Sequence, residues 1–110
     1  MNQTQAVIWT QQARHDLLGI VQYIKNHNPQ NAAAIAEQIK NKTLELNLLP
    51  ERGRIIPELQ TQGIFHYREL IAAPWRILYK HVGNEVFILG VIDLRRNLED
   101  LLLDRLIAHP

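Results

Sequence analysis

The stretch YRELIAAPWRILYKHVGNEVFILGVID, residues 67–93, decides the fold of this chain. It holds apolar runs rich in strand-forming residues, separated by a short break at Ala73-Pro74 and by Gly83-Asn84. Glycine at the first central position is typical of a two-residue type II′ hairpin turn. We therefore predict strands over 64–72, 75–82 and 85–92, with the last two paired antiparallel.

The chain before this stretch predicts a short strand and two helices. Residues 5–9 (QAVIW) favour a strand, and Thr10 suits the N-cap of the helix that follows. Asn28 and Pro29 suit the N-cap and first position of a second helix, which extends to about Leu48. Because the intervening turn is short, the two helices should form an antiparallel hairpin. The first helix repeats Ala13, Leu17, Ile20, Val21 and Ile24 at helical spacing, with Arg14, His15, Asp16 and Gln22 on its other side.

The remaining segments predict a loop and a last helix. Pro50, Gly53 and Pro57 favour a loop over 49–63, which is long enough to suggest a functional segment. Asn97 suits the cap of a helix that continues to about Leu106. The predicted fold class is α+β in one domain, residues 1–110, with the helical hairpin packed on one face of an antiparallel sheet. The other face should stay partly open to solvent or to a partner.

Composition excludes several classes of chemistry. Cysteine and serine are both absent from the 110 residues, which excludes disulfides, cysteine-ligated zinc and a serine or cysteine nucleophile. The five histidines lack the short spacings of metal ligands, and there is no glycine-rich phosphate loop, so we expect no metal or cofactor. No apolar run reaches the roughly 20 residues that cross a bilayer. We expect a soluble, cytoplasmic protein without a membrane partner.

Arginine is concentrated in the second half of the chain. Six of the eight arginines lie between Arg52 and Arg96, where seven basic residues face four acidic ones for a local charge of +3, against −2 for the rest. Arginine is costly to bury unpaired and grips carboxylate or phosphate in a bidentate way. A surface for an anionic macromolecule is therefore one interpretation, and surface ion pairs with Glu58, Glu69 and Asp93 are the other. The candidate target-binding residues are Arg68, Arg76, Arg95 and Arg96.

Other side chains of the sheet region have two interpretations each. Aromatic residues in strands can stack on bases, but more often they fill a core against helices. A strand histidine can act as an acid or base near neutral pH, but is more often a surface residue. The residues concerned are Tyr67, Trp75, Tyr79 and Phe87, together with His66 and His81.

An ordered set of segments resembles a known family. VIWTQQARHDLLGIVQYI, NPQNA, LPERGRIIPEL, YREL, WRILYKHVGNEVFILGVI and RRNLEDLLLDRL together resemble the RelE/ParE superfamily of bacterial toxins from type II toxin–antitoxin pairs, over residues 7–106. The resemblance implies a small α+β fold with a helical hairpin against a sheet. It also implies a cognate, ParD-like antitoxin whose flexible part folds over the toxin, and a possible hetero-oligomer with it. An apolar strip on the helices or an open sheet edge would suit such coupled folding and binding.

The superfamily divides by mechanism. RelE-like members are ribosome-dependent mRNA endonucleases, and Arg68, Arg76 and Arg96 fall where these keep basic residues. However, Leu102 stands about where the RelE tyrosine would lie, and Leu70 or a neighbour replaces the second lysine. ParE-like members inhibit DNA gyrase by binding, and the PERGRIIPEL and RRNLEDLLLDRL segments resemble that branch more closely. We therefore expect a gyrase inhibitor, with an mRNA endonuclease as the alternative and a toxin fold that persists only as a binding module as a third hypothesis.

Overall fold

A computed structural model of the protein describes residues 4–95 and residue 101. One five-stranded sheet has the order β1-β5-β4-β3-β2. The elements are β1 (Ala6–Trp9), α1 (Gln11–Lys25), α2 (Pro29–Leu44), a 3-10 turn (Glu45–Asn47), β2 (Arg54–Ile55), α3 (Pro57–Gln60), β3 (Arg68–Ala72), β4 (Trp75–Val82) and β5 (Glu85–Asp93).

Both long helices begin at the residues that the sequence indicates. The Thr10 hydroxyl accepts a 3.2 Å hydrogen bond from the Ala13 N–H, and the Asn28 side chain accepts one of the same length from the Asn31 N–H. The two helices pack together as the predicted hairpin on one face of the sheet. Within the described residues, no helix is long and apolar enough to span a bilayer.

The sheet confirms the predicted α+β class and refines its pairing. β4 has the predicted bounds, and Gly83 takes φ +60° while Asn84 does not have positive φ, as a type II′ turn requires. β3 begins at Arg68, later than the predicted start at residue 64. Strands β2 to β5 are antiparallel, but β1 joins β5 in parallel, with Ala6 opposite Glu85, so the sheet is mixed.

The predicted loop over 49–63 contains two regular elements, so that prediction is wrong in part. Arg54 and Ile55 pair with Glu69 and Arg68 at the sheet edge, and Pro57 begins the one-turn helix α3. These elements are too short to be stable alone. They form because the chain folds back onto the second face of the sheet, where Ile56 and Leu59 are buried.

Apolar residues cover both faces of the sheet, so the second face is less open than predicted. The larger core lies between the sheet and the helices, and the smaller one lies on the second face. A β-bulge at Leu78/Tyr79 shifts the register between β4 and β5. The predicted final helix over 97–106 lies outside the described residues except for Leu101, which packs against the smaller core. That core consists of Ile56, Leu59, Leu78 and Ile92, with Ile64, Tyr67 and Leu89 packed against it.

Candidate functional site

Arg76 lies inside an ion-pair network on the second face. Its residue exposure is 6%, although the sequence suggested that it projects from the sheet. Its Nε donates to Glu69 Oε1 at 2.5 Å, and its two terminal nitrogens donate to the Glu58 carboxylate at 2.7 and 2.9 Å. The internal ion pairs with Glu58 and Glu69 are thus present. A direct contact between Arg76 and a target stays a prediction.

Glu69 is the centre of this network. Its carboxylate is fully buried, and Oε2 accepts a 2.6 Å hydrogen bond from Arg54 Nε while Oε1 accepts from Arg76. Burying a carboxylate costs several kcal/mol unless its lone pairs are satisfied, and here two guanidinium groups do this. Arg54 itself is 61% exposed at the side chain. One buried acid therefore holds one buried and one exposed arginine.

Ionisation in this network favours the charged forms. The hydrogen bond from Arg76 lowers the pKa of Glu58 below its ordinary value, against the opposing effect of its own burial. Burial acts to lower the pKa of Arg76, but the hydrogen bonds to Glu58 and Glu69 outweigh it and raise that pKa. Arg76 and Glu58 therefore remain an ion pair at neutral pH.

The network fastens residues 51–63, here termed the strap, to the sheet. Arg54 belongs to β2 and Glu58 to α3, whereas Glu69 and Arg76 belong to β3 and β4. The strap is thus tied to the sheet by charged hydrogen bonds at Arg54 and Glu58 as well as by apolar burial. The position of the strap should be well defined as a result.

A second contact at the strap joins Arg68, Gly53 and Tyr79. Arg68 Nη1 donates to the Gly53 carbonyl at 2.8 Å and more weakly to the Glu51 carbonyl at 3.4 Å. The Gly53 N–H donates to the Tyr79 hydroxyl at 2.8 Å, and burial raises the pKa of Tyr79. Among the described residues no carboxylate forms an ion pair with Arg68. Its positive charge is therefore available to a partner.

The remaining predicted arginines lie elsewhere. Arg95 has an 88% exposed side chain and is hydrogen-bonded through Nε and Nη2 to Asp93 at 3.1 Å, which raises the pKa of Arg95. Arg96 lies outside the described residues. Arg68 stands opposite Tyr79 and Asp93 opposite Trp75, so Arg68 and the Arg95 region lie four residues apart along β4, roughly 13 Å. The sheet does not bring Arg68, Arg76 and Arg95 into one cluster.

The aromatic residues and histidines mostly serve packing. Tyr79 is fully buried in the larger core, and Trp75 packs against it. Tyr67 contacts the smaller core and the His66 ring, at 4.3 Å between centroids. Phe87 lies 5.8 Å from Lys80 Nζ, and His81 Nε2 lies 3.0 Å from the Gln5 amide. In the described part of the chain, no group of His, Asp or Glu residues could hold a metal ion.

An apolar groove of about 730 Å³ runs between α1, α2 and β1. Leu18 is 55% exposed there, and Leu44 is also exposed. Arg14 and Lys40 add positive charge to its lining. The apolar strip expected on the helices is therefore present, and Leu18 next to Leu17 was its visible sign in the sequence. Its apolar lining includes Val7, Trp9, Leu17, Leu18, Val21 and Leu44.

Comparisons with known proteins agree with this architecture. The family model described as the ParE toxin of type II toxin-antitoxin system, parDE, matches residues 7–98. The chromosomal ParDE toxin–antitoxin system from P. aeruginosa contains a similar chain, with TM-score 0.68 and 20% identity, covering 83% of this chain and 97% of that one. The RelBE2 toxin–antitoxin complex from Mycobacterium tuberculosis contains another, with TM-score 0.57 and 22% identity, covering 82% and 91%. No curated protein matches the chain significantly.

Proposed function

Because this chain belongs to the ParE toxin family of type II toxin–antitoxin systems, we propose that it arrests growth by binding and inhibiting DNA gyrase. A cognate antitoxin of the ParD type neutralises it by occupying the groove. The target contacts come from the start of β3, beside the strap, and from the segment after β5. Arg68, Arg95 and Arg96 supply direct contacts there, and Arg76 supports them from inside the fold.

The Arg76 guanidinium is already bound by two carboxylates, and this observation favours inhibition by binding over RNA cleavage. A ribonuclease of this superfamily would use that guanidinium to stabilise the negative charge that develops on a phosphate. Here Glu58 and Glu69 already bind it. A phosphate that approached Arg76 would be repelled by these two carboxylates. Such an environment suits an arginine that stabilises the fold rather than one that stabilises a phosphate during its transfer.

The proton-transfer groups near the arginines support the same conclusion. The Tyr79 hydroxyl is buried and accepts the Gly53 N–H, so it does not reach a solvent-borne ribose. His81 contacts Gln5, next to β1 at the far edge of the sheet from the strap. Neither of these two groups is therefore positioned as an acid or base, and without one RNA cleavage would lose on the order of 10²-fold or more in rate. A toxin that acts by binding needs no such group.

The groove supports the antitoxin part of the proposal. Exposed leucines beside a tryptophan form a surface on which an amphipathic helix can bury apolar residues. Arg14 and Lys40 favour acidic residues on the polar side of that helix. A flexible antitoxin segment with leucines at helical spacing and glutamates beside them would complement this lining.

A supercoiling assay tests the target. Purified toxin is titrated into gyrase with relaxed plasmid, and we expect loss of supercoiling that added antitoxin reverses. A parallel translation reaction measures cleavage of message in the ribosomal A site. Undiminished supercoiling at excess toxin, together with site-specific cleavage that Arg76→Ala abolishes, would replace this proposal by the endonuclease alternative.

A further inference from the structure

We infer that Arg54, held in place by Glu69, is a target-binding residue of this toxin and grips a carboxylate on the surface of its protein target. This inference rests on the proposed function, because it assumes a protein as the target. It adds Arg54, which sequence reasoning did not select, and it gives Glu69 the role of a positioning residue.

The two exposed arginines of the strap differ in how they are held. Arg52 Nε contacts Glu45 at 3.1 Å, and both of these side chains are substantially exposed. Such a pair has little energetic weight and exchanges readily with water. Arg54 Nε contacts a fully buried carboxylate at 2.6 Å, which is itself fixed by Arg76. Arg54 is therefore anchored at one side of its guanidinium, whereas among the described residues the Arg52 guanidinium pairs only with an exposed side chain.

Anchoring through Nε leaves the rest of the guanidinium for a partner. Among the described residues no second acceptor binds Arg54, and the side chain remains 61% exposed. The two terminal nitrogens can then form the parallel pair of hydrogen bonds that a carboxylate accepts. Because Glu69 already restricts the side chain, binding loses less rotamer entropy than it would at a free surface arginine.

The charges around Arg54 favour a protein carboxylate over a nucleic-acid backbone. Glu51 and Glu58 belong to the same strap, and Glu45 lies beside Arg52. Counted together, Arg52, Arg54, Arg68 and Arg76 are matched in number by Glu45, Glu51, Glu58 and Glu69, so no strong positive field extends from this edge even though Arg68 itself has no ion-pair partner among the described residues. A run of phosphates would meet these acids, whereas one carboxylate on a mixed protein surface can be matched by one guanidinium.

Arg54 also lies away from the groove. β2, which carries Arg54, and β1, which lines the groove, are the two outer strands of the sheet. Substitutions at Arg54 should therefore alter target binding without altering antitoxin binding. A variant that loses target binding but keeps antitoxin binding must still be folded. The separation of the two surfaces therefore distinguishes a binding role of Arg54 from a general loss of folding.

The experiment compares full-length Arg54→Ala and Arg54→Lys with Arg52→Ala as the matched control. For each variant, inhibition of supercoiling, growth arrest on induction, antitoxin affinity and melting temperature are measured. We expect Arg54→Ala to raise the half-inhibitory concentration by about tenfold or more, which corresponds to losing one well-placed contact. Arg54→Lys should not restore inhibition, because lysine keeps the charge but lacks the planar fork. Arg52→Ala should change inhibition by less than about threefold.

Glu69→Gln tests the positioning role. We expect weakened inhibition with Arg54 still present, while antitoxin affinity stays within about twofold of wild type. If this variant fails to fold, the two arginine variants on the exposed strap still decide the inference. Equal potency of Arg54→Ala and wild type, or equal losses from Arg52→Ala and Arg54→Ala, would overturn it.

Growth arrest separates this inference from the proposed function. If wild-type toxin leaves gyrase active, the gyrase proposal fails, yet arrest that is lost in Arg54→Ala and kept in Arg52→Ala still supports the role of Arg54. Retention of labelled RNA by wild-type toxin but not by Arg54→Ala would overturn the assignment of a protein carboxylate as its partner.

Discussion

The Gly53 N–H donates a 2.8 Å hydrogen bond to the Tyr79 hydroxyl across 26 positions of the chain. This contact requires the strap backbone to lie directly on the end of the tyrosine ring. A Cβ at position 53 would lie 2.4 Å from the Glu69 carbonyl oxygen and 2.7 Å from the tyrosine ring. Gly53 therefore permits an approach that no other residue allows without movement of the strap.

Gly53→Ala should destabilise the protein by about 1–3 kcal/mol, because backbone and a packed ring must move to accept the methyl group. Urea unfolding followed by circular dichroism measures the change. Gly19→Ala is the matched control: it lies in the middle of α1, and apart from the neighbouring residues and backbone of its own helix no atom lies within 4 Å of the added Cβ. Alanine should therefore stabilise the helix there by about 0.5–1 kcal/mol. Equal stability of wild type and Gly53→Ala would show that the strap does not lie against Tyr79 as described.

The Glu69–Arg76 pair should show strong coupling in a double-mutant cycle. Breaking a buried pair costs up to about 3–5 kcal/mol, and Glu69→Leu and Arg76→Met should each approach the lower part of that range because a second charged partner remains. The double variant should cost less than the sum of the single ones by about 1–3 kcal/mol, since neither charge is then buried alone. Additive losses in urea unfolding would mean that the two side chains do not interact.

The extent to which the sequence predicts this fold follows from how local each contact is. The β4–β5 hairpin depends on a two-residue turn and neighbouring apolar runs, so its turn and the bounds of β4 were predictable. The strap depends on pairing between Arg54 and Glu69 and on burial of Ile56 and Leu59 against strands that follow later in the chain. Proline and glycine in that segment indicate a loop, and nothing local opposes them.

The candidate site was harder to predict because burial of a charge depends on distant partners. An arginine between Trp75 and Ile77 has the pattern of a solvent-facing strand position. Position 76 is buried only because the strap folds over it and brings Glu58, which precedes it by 18 residues, into contact. Asp16 gives a second case. It was assigned to the polar side of α1, but its carboxylate accepts the Val91 N–H at 3.0 Å, close to the β-bulge. In both cases a distant partner decides the environment: Glu58 makes Arg76 an interior residue, and the Val91 N–H holds Asp16 against β5.

Glu58 predicts an acid-dependent loss of stability. Its pKa is lower in the folded protein than the ordinary value of 4.5, so the unfolded chain binds more protons in the window below pH 4.5. The stabilisation from its charged form is therefore present above pH 4.5 and is lost as pH falls through the folded-state pKa. Glu58→Gln should reduce the fall in unfolding free energy between pH 5 and pH 3, measured by urea titrations at each pH. Parallel pH profiles for the two proteins would contradict this assignment.

The groove predicts a variant that escapes neutralisation while remaining toxic. Leu18→Glu places a carboxylate on the apolar lining between α1 and α2 and keeps high helix propensity, so the fold should persist while antitoxin binding weakens by about tenfold or more. Isothermal titration with the cognate antitoxin measures the affinity, and growth arrest with and without antitoxin measures neutralisation.

Val82→Glu is the matched control for that variant, because Val82 is 54% exposed against 55% for Leu18 but lies at the end of β4, outside the groove. It should bind antitoxin as wild type does. The strap is unchanged in both variants, so both should still inhibit the target. Full neutralisation of Leu18→Glu by the antitoxin would place the antitoxin on another surface, whereas loss of toxicity in this variant would mean that groove and target-binding surface are not separate.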